Sequence, residues 1–156
     1  MTPFPVEGSR AMESWDVLVL GDGPAALRAA ISASEAGANP LLVSASSVGA
    51  ASGYPPLSGF AASLNETTAS SHIQDTISEG GETTNKPAAA RICSMAVENL
   101  AELERWGLVL RRFPDGSPHL SQLPGHSIAR VAGCGDSTVR EVTRILEEQT
   151  MKRKIC

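Results

Sequence analysis

The sequence predicts an α/β chain built on a Rossmann-type dinucleotide-binding unit, and three observations predict it. A short continuous apolar run, Val17-Leu18-Val19-Leu20, ends abruptly at Gly21-Asp22-Gly23-Pro24. A segment with a small, apolar helical face follows, containing Leu27, Ala30 and Ile31. A second apolar run, Leu41-Leu42-Val43, comes next. Strand, glycine turn, helix and strand within about 30 residues is the size of one βαβ unit.

Each element has its own signal. Residues 1–14 hold Pro3, Pro5 and Gly8 without periodicity and read as a disordered leader to a domain over 15–156. Val17 to Leu20 and Leu41 to Val43 read as strands buried on both faces, because they are apolar without alternation. Ala25 to Gly37 reads as a helix with Gly37 as its stop. Residues 44–71 are rich in Ser, Gly, Ala and Pro, yet Tyr54, Leu57, Phe60 and Leu64 predict that the segment packs on something. A short helix is expected there around Gly59 to Leu64, and another at His72 to Ile77.

Lys86 to Trp106 reads as a longer helix on the spacing of Ile92, Met95, Ala96, Leu100 and Leu103. Leu108-Val109-Leu110 reads as a short strand, Asp115-Gly116 as a turn and 118–132 as irregular chain. Ser137 to Lys152 reads as an amphipathic helix, and Ile155 as the start of a further strand. The α/β fold is therefore expected to be incomplete within this chain.

Composition narrows the function. Hydrophobic residues are 42% and charged residues 19% of 156, an ordinary globular balance. Thirteen Lys and Arg against 17 Asp and Glu give a net charge of −4, the wrong sign for a nucleic-acid binder. No apolar run approaches the ~20 residues of a bilayer span. Cys93, Cys134 and Cys156 are too widely spaced for a zinc site or a disulfide framework, which predicts reduced thiols in a cytoplasm.

The chemistry lies in the glycine turn. Gly21-Asp22-Gly23-Pro24-Ala25-Ala26 fits G-x-G-x-x-G/A between a strand and a helix. Gly21 permits the turn, Gly23 lets backbone approach a pyrophosphate, and Ala26 lets the helix pack close. The helix N-terminus that opens at Pro24, which has no N–H of its own, offers free N–H groups from Ala25 onward and a partial positive charge. The acidic ribose ligand expected about 20 residues on is absent. Ser44 stands there, able to bond a hydroxyl but uncharged. The alternative is a glycine turn that binds nothing.

From Trp15 to Thr150 the chain resembles the N-terminal part of the succinate dehydrogenase/fumarate reductase flavoprotein family, which includes L-aspartate oxidase. The resemblance is carried by Asp16 to Gly21 with Ala25 to Ala30, by Ser58 to Leu64, by His72 with Asp75-Thr76, and by Leu103 to Leu108. It continues through Gly125-His126-Ser127, Arg130 and Asp136-Ser137-Thr138. It implies a Rossmann-type FAD-binding domain, the N-terminal portion of a larger flavoprotein fold, with FAD as cofactor. In the full-length enzyme it implies hydride transfer between flavin and a small dicarboxylate, and an iron–sulfur partner subunit. The capping-domain arginines and the proton donor are expected outside this chain, so the chain alone is expected to be inactive.

The resemblance also assigns residues. Gly21, Gly23, Pro24, Ala25, Ala26 and Ser44 would hold the ADP part of FAD. Ser58-Gly59 stands where a glycine pair meets the flavin. The place of the covalent histidine of many members falls near Ser52-Gly53, which implies non-covalent FAD beside Ser52 and Gly53. His126 is the substrate-side candidate, and the plainer reading is a loop histidine bonded to backbone. Arg130 reads either as an anion ligand or as a surface arginine. Val139 replaces the glycine of A-D-x-T-G. Leu123 stands where L-aspartate oxidase has a glutamate for the substrate amino group, which favours a succinate/fumarate-type enzyme over an aspartate oxidase. A short non-catalytic nucleotide-binding or interaction protein is the third reading.

Overall fold

The computed structural model describes residues 13–45, 59–64 and 66–156. The elements run β1 (Val17–Leu20), α1 (Pro24–Glu35), β2 (Pro40–Val43), β3 (Phe60–Ala61), α2 (Glu66–Gly80), α3 (Lys86–Arg105), β4 (Val131–Ala132) and α4 (Thr138–Lys152). The expectations for residues 1–12 and for Ser52, Gly53 and Ser58 lie outside the described residues.

The βαβ unit forms as predicted. β1 and β2 are parallel, in register Val17 to Pro40 through Leu20 to Val43. α1 crosses between them and buries Leu27, Ala30 and Ile31 completely. It ends where Gly37 takes φ +85° and the amides of Gly37 and Ala38 bond back to Ser34 and Ala33. Glycine adopts that left-handed conformation without a Cβ penalty.

Burial of the strands on both faces is not what the structure shows. Val17 and Val19 are half-buried, while Leu18 is 59% and Leu20 72% exposed. The apolar run matches a doubly covered strand, but among the described residues only one face of this sheet carries a helix layer. At the edge of β2, the Leu42 amide donates to the Cys156 carbonyl at 2.7 Å. This bond brings the chain end beside β2, but the sheet keeps two strands, and the strand expected from Ile155 does not form among the described residues.

The rest of the described chain forms two helix pairs around one core. α4 packs on α1, and α2 packs on α3. Leu27, Ile31, Ala96, Leu100, Leu103, Ile145 and Leu146 meet in this core. The guanidinium groups of Arg28 and Arg153 each lie 5.4 Å from the ring centroid of Trp106, just past α3. Arg28 also pairs with Glu102, and both arginines pair with Glu35. Charge and aromatic surface together tie α1, α3 and the end of α4.

Three local expectations are corrected. Phe60-Ala61 is a strand, β3, antiparallel to β4, and not part of a helix. Its backbone lies too close to β4 for a helical turn to fit. α2 is much longer than the short helix expected around His72. In α3 the buried stripe is Ala89, Cys93, Ala96, Leu100 and Leu103, while Ile92 is 69% and Met95 41% exposed. Small Ala89 and Cys93 face the neighbouring helix, and the larger apolar residues at the other phase do not.

Leu108-Val109-Leu110 alternates buried, exposed, buried, but it forms no ladder among the described residues. The predicted Asp115-Gly116 turn is present, with Asp115 Oδ1 accepting from the Ser117 amide and hydroxyl.

Candidate cofactor and ligand sites

The glycine turn sits at the C-terminal ends of two parallel strands, where open α/β sheets bind ligands. Gly21 has φ +138°, and a Cβ there would lie 3.1 Å from the Ala26 Cβ. The turn therefore needs both a glycine first and a small residue at Ala26. The Gly21 amide donates to the Val43 carbonyl at 2.9 Å, which joins the turn to the end of β2.

α1 starts with Gly23 as its N-cap, no side-chain cap among the described residues, Pro24 in its first turn and no acidic residue there. Its first intrahelical bond runs from Leu27 N–H to Gly23 C=O at 3.1 Å. The amides of Ala25 and Ala26 precede that bond, so they point out of the helix end with the positive pole of its dipole. Backbone, small side chains and partial positive charge form a cradle that fits a pyrophosphate. Ser44 Oγ donates to Asp22 Oδ2 at 3.3 Å. Five predicted residues of the turn and Ser44 are thus gathered at one end of the sheet, with Asp22 facing Ser44.

A cavity of about 410 Å³ opens beside this turn. It is lined by Gly23, Pro24, Ala25, Gly59, Phe60, Thr138, Val139 and Val142. Gly59 is therefore near the turn, and Val139 adds a branched side chain at the same place. Gly59 is a glycine for a reason its sequence neighbourhood does not reveal. A Cβ there would overlap Val131 Cγ1 and stand 2.6 Å from the Ala132 carbonyl oxygen. The close approach that demands glycine is to β4.

A second polar cluster lies around His126. Arg130 is 1% exposed, so the surface reading of this residue is overturned, and its anionic partner is internal. Its Nη1 donates to Asp75 Oδ2 at 2.6 Å and to His126 Nδ1 at 3.0 Å. Its Nη2 donates to Ser71 Oγ at 3.1 Å and to Ser127 Oγ at 3.4 Å. The Ser127 amide and hydroxyl both donate to Asp75 Oδ2 at 2.8 Å. The Ser127 amide first, and then the Arg130 guanidinium, hold the Asp75 carboxyl down at about 2.

His126 borders a cavity of about 320 Å³ with Asp75, Thr76, Glu79, Pro124 and Gly125. Among the described residues this cavity shares no lining residue with the one at the glycine turn. His72 is buried inside α2, its Nδ1 has no partner among the described residues, and its ring lies 6.3 Å from that of His126. No sequence signal marked His72 as part of this cluster, because its role depends on α2 lying against the 121–130 segment. Cys134 is half-buried beside Thr138, and the Leu123 carbonyl accepts from the His126 amide in a turn.

Burial first, then Arg130 and His126, push the His72 pKa below its ordinary 6.5, while Asp75 opposes them. The unfolded chain then takes up this proton before the folded chain does. Stability from this residue is complete above about pH 6.5 and falls as pH drops below it. Thermal melts between pH 7.5 and 5.5 should show this loss, and His72→Gln should flatten it. An unchanged slope in the variant would rule His72 out as its source.

Among the described residues there is no group of His, Cys, Asp and Glu able to hold a metal, and no helix long and apolar enough to cross a membrane.

With this geometry in place, the family follows. Residues 16–156 match the FAD binding domain family, and the chain belongs to it. Relatives refine the class. The matching component of the CoM/CoB fumarate reductase of Methanothermobacter marburgensis is 32% identical over 147 residues, covering 90% of this chain and 26% of that protein. L-aspartate oxidase 2-a of Nicotiana tabacum is 29% identical over 138 residues, covering 88% and 21%. The structure of Mycobacterium smegmatis Sdh1 in complex with UQ1 superimposes with a TM-score of 0.79 at 29% identity, covering 90% and 24%. The chain is thus an FAD-binding region of the fumarate reductase/succinate dehydrogenase-like flavoproteins, with the fold of their N-terminal part. It spans about a fifth to a quarter of the length of these relatives.

Proposed function

We propose that this chain holds the ADP part of non-covalent FAD in an oxidoreductase that acts on a small dicarboxylate. The domain is taken as residues 15–156. The observation that carries the proposal is the α1 terminus, which has no side-chain cap among the described residues, behind a Gly21 turn too tight for a side chain. The amides of Ala25 and Ala26 would bind the pyrophosphate, and Ser44 would meet the ribose. Ser52, Gly53, Ser58 and Gly59 are assigned to the flavin side. When bound, FAD supplies two-electron hydride chemistry. The chain's own part is to bind and orient, with His126 as the substrate-side candidate. A proton donor, an iron–sulfur partner and a cytoplasmic setting belong to the same reading.

L-aspartate oxidase is the second reading, supported by the tobacco relative. Leu123 speaks against it, because an apolar side chain offers nothing to a substrate ammonium.

Gly23→Asp tests the cradle directly. Aspartate is a good N-cap, so α1 should stay folded. Its carboxylate would occupy the amides and repel the phosphates. FAD affinity should fall at least about tenfold, roughly 1.4 kcal/mol, with no loss in thermal midpoint. Equal affinity in titrations of the two proteins would remove α1 from the binding site.

A further inference from the structure

We propose that Arg130 is a positioning residue that fixes His126 as a hydrogen-bond donor toward the 320 Å³ cavity, so that His126 binds an acceptor oxygen and does not act as a base. The inference rests on the substrate-side reading of His126 for its purpose, but not for its geometry. A guanidinium has five N–H donors and no acceptor. Its contact of 3.0 Å with His126 Nδ1 therefore requires that Nδ1 be the acceptor. The ring proton must then sit on Nε2.

Arg130 is itself held firmly enough to impose this choice. It is 1% exposed, and Asp75, Ser71 and Ser127 fix its fork from three directions. Its backbone is pinned as well: Ala62 N–H donates to the Arg130 carbonyl, and Arg130 N–H donates to Ser121. The His126 main chain is fixed by Leu123 and Gln122, which bond its amide and carbonyl. Both buried side-chain polar atoms without a partner among the described residues, His72 Nδ1 and Arg130 Nε, lie in this same cluster. The cluster thus gives up full internal satisfaction while keeping the Arg130–His126 bond. Such cost is expected where a side chain must be aimed.

The consequence is chemical. With Nδ1 engaged by Arg130, proton acceptance there would place two cations in contact. His126 can offer Nε2–H to a carboxylate or carbonyl oxygen, which is a binding role. Asp75, whose charge is matched by Arg130, lines the cavity together with Glu79.

Long-range nitrogen–proton NMR of the 15N-labelled chain tests this at about pH 8, above the ordinary imidazole pKa. His72, His119 and His126 are assigned by single His→Gln variants. The expected result is a pure Nε2–H signature for His126, whereas an unconstrained ring shows a mixture of tautomers. Ser127→Ala should leave that signature intact, because it spares the Arg130–His126 bond. Arg130→Leu should return His126 to a mixture. If Arg130→Leu does not fold, the wild-type spectrum decides alone: mixed tautomers or an Nδ1–H ring overturns the proposal. Adding fumarate to the FAD-loaded chain separates the two readings. A fixed tautomer whose Nε2 resonance ignores fumarate upholds the positioning and removes His126 from the substrate side.

Discussion

Arg130→Leu is expected to destabilise the fold by about 3 kcal/mol, the scale of removing one partner from a buried ion pair. For a chain of this length that is a fall of roughly 10 °C in thermal midpoint. The reason is position as much as charge. Asp75 and Ser71 belong to α2, and His126 and Ser127 to the loop before β4, so one guanidinium joins two parts distant in sequence. Leucine fills part of the volume but leaves those polar groups without their donor.

The acid behaviour should change with it. The Asp75 carboxyl is held at about 2, below its ordinary 3.8, so its stabilisation is complete above about pH 4. It is lost as pH falls from there through 2. In the variant that acid loss should shrink, because the Arg130 part of the shift is gone. A variant with the wild-type midpoint and the wild-type acid profile would show the pair to be idle.

Gly59→Ala is the second large effect. The added Cβ would meet the backbone oxygen of Ala132 at 2.6 Å as well as the Val131 side chain. A backbone atom held in a ladder cannot move aside as a flexible side chain does. Overpacking of this kind costs about 1–3 kcal/mol, and here it should reach the upper end. The β3–β4 pair would have to part, and with it the bond from Ala62 to Arg130. Midpoints from denaturant melts of the two proteins would measure it. A loss below about 0.5 kcal/mol, the size of an ordinary surface change, would mean the strands separate freely.

The βαβ unit was legible because its signals are local. Apolar runs, the Gly21 turn, the Leu27-Ala30-Ile31 face and the Gly37 stop each act within a few residues. The glycine-turn residues and Ser44 could be placed from spacing alone. What escaped depends on distant partners. Phe60-Ala61 is a strand only because Val131-Ala132 lies beside it. Arg130 is buried only because Asp75 reaches it across 55 residues. The true buried stripe of α3 uses Ala89 and Cys93, which a search for large apolar residues passes over. The exposure of Leu18 and Leu20 depends on what covers the far face of the sheet, which a strand's own residues do not specify.

The central claim is that this chain cradles FAD without a covalent bond. The most direct measurement is flavin stoichiometry of the purified chain after incubation with FAD, followed by denaturation and separation of small molecules. The expected result is about one flavin per folded chain, all of it released on unfolding. A chain that is folded by circular dichroism and takes up no FAD would contradict the cradle, and flavin that stays with the denatured polypeptide would contradict non-covalent binding.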